Sequence, residues 1–427
     1  MIRRARSLIV VAAVAATVAA SCSSSKSSST TATTAAATAT TAGGTATTAA
    51  GPCTGPGISN GKITVGVIQQ SSGNPTVVGD FQWAKDTVDA RFGLENAKGG
   101  VNGLQLQTVA ADDGGTTTQN LSAARQLVES DNVFGIVEMS IEPGGSGGYL
   151  KGKGVPVIGW ATASDPFATD NNVFGAVGGY QLDQTHNPTT SIVGFLKQKG
   201  VTNVALLGGT DPGSIDSSNG TAAAAKAVGI KVGYQTNSVQ FGTKDFTADV
   251  AKMKSAGIDG VVTEFDPTTN LALGAAIKQA GLTPVILFTT GYDQRLINAV
   301  STLVAGDYFL TPIQPFELNG AAATTFKNTM TQVAPKVPVA EVSAISWISA
   351  DMFIKGLQLA GPCPTRQSFI DNLRKATYDA GGMIAPIDLS TQVGKGNPCF
   401  WEVKAVGKTF VPESPQPFCG TPVTPAP

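Results

Sequence analysis

The chain has 427 residues, 42% of them hydrophobic and 14% charged, with a formal net charge of −1. Such a chain can bury a real core and is long enough for two domains of ordinary size. Its near-neutral charge excludes nucleic acid and an anionic membrane surface as expected partners.

Arg3, Arg4 and Arg6 precede an apolar run from Leu8 to Ala20. Positive charge followed by a short apolar stretch is the order of a secretory signal, and this run is too short to span a bilayer. Residues 1–21 are therefore expected to be a signal peptide. From Ser23 to Ala50 the chain is almost only Ser, Thr, Ala and Gly. This composition offers too little apolar surface to offset the entropy of ordering, so residues 22–57 read as a tether.

Beyond the tether, β-branched runs alternate with helical spacing. Lys62–Ile68 predicts a strand, and Phe81–Leu94 predicts a helix with Phe81, Ala84, Val88 and Phe92 on one face. Strands follow at 104–110, 133–139 and 155–158, with a helix at 118–130. Next come helices at about 190–199, 218–228, 247–256 and 270–280, interleaved with strands at 204–207, 231–235, 260–264 and 284–288. This alternation implies two α/β units with parallel sheets. A strand near 307–311, helices at 321–332, 342–360 and 366–375, and strands at 400–404 and 409–411 complete the chain. The late helices have no complete sheet of their own, so the chain is expected to return to lobes already begun, which makes a hinge.

Cys53, Cys363, Cys399 and Cys419 stand in a chain expected to be exported, where thiols pair. Three connectivities are possible; the favoured one joins Cys363 to Cys399 and Cys53 to Cys419, which would pin both ends of the folded part. Zinc is the poorer reading, because no two cysteines lie two to four residues apart and the sole histidine, His186, is remote. No metal and no cofactor is expected.

Several segments in this order resemble type I periplasmic solute-binding proteins, in the branch of leucine/isoleucine/valine receptors. They are Asn96-Ala97-Lys98-Gly99-Gly100-Val101-Asn102-Gly103, Asp112-Asp113, Ala123–Val128, Gly154–Ile158, Asp245-Phe246-Thr247, Ala256–Val262 and Lys278–Leu282. The resemblance implies two Rossmann-like α/β lobes with parallel sheets joined by a three-strand hinge. Lobe 1 would hold residues 58–180 plus about 290–385, and lobe 2 residues 181–289 plus about 386–420. It implies capture of an amino acid between the lobes for an ABC permease, without catalysis. Ala19-Ala20-Ser21-Cys22 similarly resembles the lipobox of bacterial lipoproteins, which implies a lipid anchor at Cys22 and an extracytoplasmic location.

By the same resemblance, Ser140 would offer its hydroxyl to a ligand carboxylate, and Ala161 with Thr162 or Ser164 would meet the ammonium and carboxylate. Trp160 is a wall of the site or part of the core. Glu264, Tyr292 and Asp293, with Asp211 as a weaker candidate, follow strands of the second lobe, where a carboxylate can pair with an ammonium. Two further readings stand beside this one. A sensor module signalling to a membrane partner would use the same fold. A serine hydrolase would use Gly144-Gly145-Ser146-Gly147-Gly148, but Ile141-Glu142-Pro143 separates that serine from its strand, where a nucleophile elbow needs direct contact.

Overall fold

The computed structural model describes residues 53–161, 165–178, 188–391, 393, 395 and 397–423. A six-stranded sheet comprises β1 (Ile58–Ser59), β2 (Lys62–Gln69), β3 (Gln105–Asp112), β4 (Ile136–Met139), β5 (Val157–Gly159) and β6 (Val173–Gly175). Between its strands run α1 (Pro75–Phe81), α2 (Ala84–Asn96), α3 (Thr117–Arg125), α4 (Gly147–Gly152) and α5 (Asp165–Thr169). β2 pairs in parallel with both β3 and β4, and only the short β1 runs antiparallel. Strands covered on both faces read as continuous apolar runs, and β4, buried at all four residues, does so.

The second sheet has eight strands. It contains β7 (Asn203–Gly209), β8 (Lys231–Val239), β9 (Gly260–Glu264), β10 (Val285–Phe288) and β11 (Tyr308–Thr311), all parallel. Its helices are α6 (Ser191–Gln198), α7 (Pro212–Ala227), α8 (Thr247–Ala256), α9 (Pro267–Gln279) and α10 (Gln294–Val304). Gly257, at φ 63°, closes α8 in the left-handed conformation that glycine adopts without a Cβ penalty.

After β11 the chain forms α11 (Ala321–Val333), α12 (Glu341–Ala360) and α13 (Arg366–Leu373). α12 packs on α2, β4 and β5, so these helices cover the first sheet. A small ribbon of β12 (Thr377–Tyr378) and β13 (Ile387–Asp388) precedes the return to the second sheet. There β14 (Cys399–Val406) lies antiparallel to β11, and β15 (Thr409–Pro412) and β16 (Phe418–Cys419) both pair with β14. The expected change of lobe near residue 290 therefore falls later. Residues 290–311 stay with the second sheet, because the four buried residues of β11 fill the gap between β10 and β14.

The favoured disulfide pairing is corrected: Cys53 joins Cys363, and Cys399 joins Cys419, with Cα–Cα distances of 5.4 and 4.0 Å. The reason for the second bond is β16, which folds back so that Cys419 faces Cys399 across an antiparallel pair. Cys53 reaches instead the loop between α12 and α13. The two bonds span 310 and 20 residues. In the chain-entropy account a longer closed loop restrains the denatured state more. Replacing the Cys53 and Cys363 pair by serine should therefore cost about 2 kcal/mol more than replacing the other pair. Urea unfolding of the two double variants measures this, and equal losses would contradict it.

Candidate functional site

Open α/β sheets present loops and helix starts beyond the carboxyl ends of their strands. Here both sheets do so toward one another, and a cavity of about 390 Å³ lies between them. From the first sheet's side it is lined by Thr76, Val77, Asp80 and Phe81 of α1, by Ile141 after β4, and by Trp160 after β5. Ala340, Glu341 and Val342 at the start of α12 complete that side. From the second come Asp211 and Ser214 at the start of α7, Phe241 after β8, Glu264–Thr268 after β9 and Thr290–Asp293 with Arg295 and Leu296 after β10.

Local sequence explains how each group is held. Asn74 accepts from Thr76 N at 3.1 Å and Pro75 takes the first helical position, which starts α1 and turns Phe81 toward Trp160, their ring centroids 5.4 Å apart. Asp211, Asp266 and Asp293 cap α7, α9 and α10, accepting from Ser214 N at 2.8 Å, Thr268 N at 3.0 Å and Arg295 N at 2.7 Å. Gly291, at φ 109°, lies so close to Phe309 and Leu296 that a Cβ would meet both side chains at 3.1–3.2 Å.

Of the expected ligand residues, Glu264, Tyr292 and Asp293 line the cavity, as do Trp160 and Asp211. Glu264 is held by Ser217 Oγ at 2.8 Å and Thr289 Oγ1 at 3.0 Å. Tyr292 lays its ring along the cavity wall while its hydroxyl turns away, donating to Glu317 at 2.6 Å and accepting from Phe316 N at 2.6 Å. Ser140 and Ala161 are not among the lining residues. Ser140 is fully buried and donates to Asp113, whose other contacts include Asn120, itself bonded to Glu138. Ala161 is also fully buried, within the small apolar cluster around Ile68 and Phe167. Thr162, Ser164, His186 and Cys22 lie outside the described residues. Ser146, central to the hydrolase reading, is 1% exposed and its N–H donates to Asn120 Oδ1 at 3.0 Å, so its hydroxyl presents no surface to a substrate.

The sequence reading missed Asp80, Glu341 and Arg295. Arg295 donates to Asp293 through Nε at 2.8 Å and approaches Asp80 across the cavity at 3.4 Å. Burial, with the carboxylates of Asp293 and Asp266 nearby, outweighs Arg295 and pushes the Asp80 carboxyl up to about 6. Burial pushes Glu341 up to about 8, against a hydrogen bond to Thr311, and its Oε2 has no hydrogen-bond partner.

The periplasmic binding protein family model matches residues 62–409. The chain belongs to the periplasmic binding protein family. Among its relatives, this binding protein is 26% identical over 304 residues to Leu/Ile/Val-binding protein homolog 3 of Brucella melitensis, covering 70% of this chain and 79% of the relative. Its fold, that of type I periplasmic binding proteins, is similar to a branched-chain amino acid ABC transporter protein from Thermus thermophilus with bound valine. That match has a TM-score of 0.72 at 16% identity, over 84% of this chain and 96% of the other. A fatty acid ABC transporter substrate-binding protein from Thermomonospora curvata gives the same TM-score at 18% identity, over 85% and 94% of the two chains. Family members are solute-binding proteins.

The raised carboxyls of this binding protein set a direction for its pH dependence. A folded value above the unfolded one means that protonation stabilises the fold, fully so below the unfolded value, with the benefit lost as pH rises through the folded value. The melting temperature should therefore fall between about pH 4 and 8, each group contributing up to about 1.4 kcal/mol per pH unit between its unfolded and folded values. Glu402, also pushed up to about 8 by burial, shares the upper window with Glu341. Glu341→Gln should accordingly flatten the slope between about pH 5 and 8 without abolishing it, and calorimetric scans showing parallel slopes would remove Glu341 from the account.

Proposed function

We propose that this chain is an extracytoplasmic, lipid-anchored receptor that captures a small molecule between its lobes and presents the closed form to an ABC importer in the membrane. It performs no chemistry on its cargo. The observation that supports this best is the cavity itself, bounded by strand ends of both sheets and large enough for an amino-acid-sized ligand. Membership of the family supports capture without catalysis, and the relatives' names point to amino acids as the first class to test. The sequence preceding Cys53 supports export and acylation at Cys22, and no helix among the described residues is long and apolar enough to cross a membrane.

Capture works by differential affinity. A ligand touching α1, Trp160 and the start of α12 on one side, and the turns after β9 and β10 on the other, makes its full set of contacts only when the lobes are closed, so it shifts the population toward that state. Glu264, Tyr292 and Asp293 belong to the proposed contact set, with Asp80, Trp160 and Glu341 from the facing lobe.

The test is thermal melting and small-angle X-ray scattering of the purified chain against amino acids, amines, aromatic acids, fatty acids and sugars. A ligand at one hundred times its dissociation constant should add about 2.7 kcal/mol of stability, and the same ligand should reduce the radius of gyration. If no compound of any class moves either quantity, small-molecule capture is the wrong reading.

A further inference from the structure

We propose that the cleft takes an organic cation without a carboxylate, an amine carried on an apolar or aromatic body, because its acidic groups outnumber its cations and the helix starts at α7, α9 and α10 are already capped by the chain's own carboxylates. This rests on the receptor reading and names the ligand class of that same site.

Among the described residues the lining holds Asp80, Asp211, Glu264, Asp266, Asp293 and Glu341 against a single cation, Arg295. Three of these carboxylates have a structural reason to be there, since Asp211, Asp266 and Asp293 are helix caps. That reason decides the ligand's sign. A helix N-terminus is the usual device by which this class of fold holds an anion, and at α7, α9 and α10 the chain's own carboxylates fill it. A ligand carboxylate arriving there would meet oxygen, not free N–H. Arg295 is already partly engaged, because Asp293 takes the guanidinium through Nε at 2.8 Å and Asp80 faces it at 3.4 Å.

Two further observations point to a positive group. Glu341 is 5% exposed, lines the cavity and leaves Oε2 without a partner, and Asp211 Oδ2 is likewise unpartnered. A buried acceptor with no donor is costly, and a ligand N–H would supply the missing bond. Like charges also face one another across the cleft. Burial is the main reason that Asp80 and Glu142 hold a proton more tightly, and facing carboxylates add to it: Asp293 and Asp266 for Asp80, partly offset by Arg295, and Asp211 for Glu142. A ligand cation between them relieves the repulsion that remains beside Arg295 as the lobes close. Phe81, Trp160, Phe241, Phe265 and Tyr292 supply the apolar remainder of the wall, and aromatic faces attract cations.

The test uses two matched sets that share a body and differ only in charge, with affinities measured by calorimetry on the full chain. One is 3-methylbutylamine, leucine and 4-methylpentanoate; the other is phenethylamine, phenylalanine and 3-phenylpropanoate. In at least one set the amine should bind about tenfold or more tighter than its amino acid, the equivalent of one charge-assisted hydrogen bond, with the acid weakest. Amino acid or acid binding as tightly as the amine in both sets overturns the proposal and leaves the receptor reading intact. If none of the six compounds binds, the cation proposal falls, and the receptor reading is decided by the wider panel above.

A second arm uses variants that keep every helix cap. Asp266→Asn with Glu341→Gln should weaken the amine about tenfold, losing the charge of Asp266 and the carboxyl acceptor of Glu341. Arg295→Ala should tighten it by freeing Asp80 and Asp293. Loss of all binding in Arg295→Ala, in protein whose circular dichroism and melting show it folded, would make Arg295 an anion anchor and overturn the proposal.

Discussion

The first turn of every helix leaves backbone N–H groups without partners inside the helix. In an open α/β fold these groups collect beyond the carboxyl ends of the strands, in the place where a ligand would sit. This chain satisfies them largely from its own sequence, with Asp211, Asp266 and Asp293. The choice stabilises α7, α9 and α10 and fixes the turns after β7, β9 and β10. The same choice sets the electrical character of the cleft. A chain that had used glycine at these caps would have kept the helices at little cost and left their first N–H groups open to carboxylates.

The lobes meet through the same groups. Asp293 bonds Arg295, and Arg295 reaches Asp80 of the opposite lobe, while Asp293 also forms an isolated backbone bridge with Ala340 at the start of α12. One residue thus caps a helix, neutralises a guanidinium and joins the chain's two halves. Tyr292 stiffens this junction from behind, with its ring 5.4 Å from Phe316 and 5.0 Å from Phe410. Half-buried ion pairs of this kind contribute little net stability, because desolvation offsets attraction. Their use here is orientational, since they fix the relation of α1 to α10 while costing little to exchange for a ligand.

Much of the fold was legible because parallel strands buried on both faces read as apolar runs, and the runs at β2, β4, β7, β9 and β10 are of that kind. What was missed depends on features outside local periodicity. α1 is announced by Asn74-Pro75, a cap followed by proline at the first helical position, but it is only seven residues long and its apolar face is the cleft. α10 lies where no helix was expected, and a non-helical Val300 interrupts it. β16 has two residues and gains its identity from β14, so the partner of Cys399 could not be read locally. At the site, Glu264 and Asp293 were found because they follow strands. Ser140 follows one too, yet Asp113, Asn120 and Glu138 close around it as a buried polar network, and no pattern within its own segment reports that. Glu341 lies far along the chain and reaches the cleft only because α12 crosses back to the first sheet.

The corrected disulfides bear on how such a receptor can hang from a membrane. Under the proposed anchoring at Cys22, any pull on the tether enters the folded part near Cys53. The first strand there, β1, has two residues and one antiparallel neighbour, so hydrogen bonds alone would let the end fray. Cys363 instead ties that entry point to the loop beside α12, the longest helix among the described residues and one packed against α2 and the first sheet. Force is thereby delivered to the core of lobe 1 rather than to its edge. Lobe 2, whose last strand is closed by Cys399–Cys419, is not tied to that entry point by either disulfide. The pairing that would have joined Cys53 to Cys419 would instead have bound the tether to β16 at the edge of the second sheet.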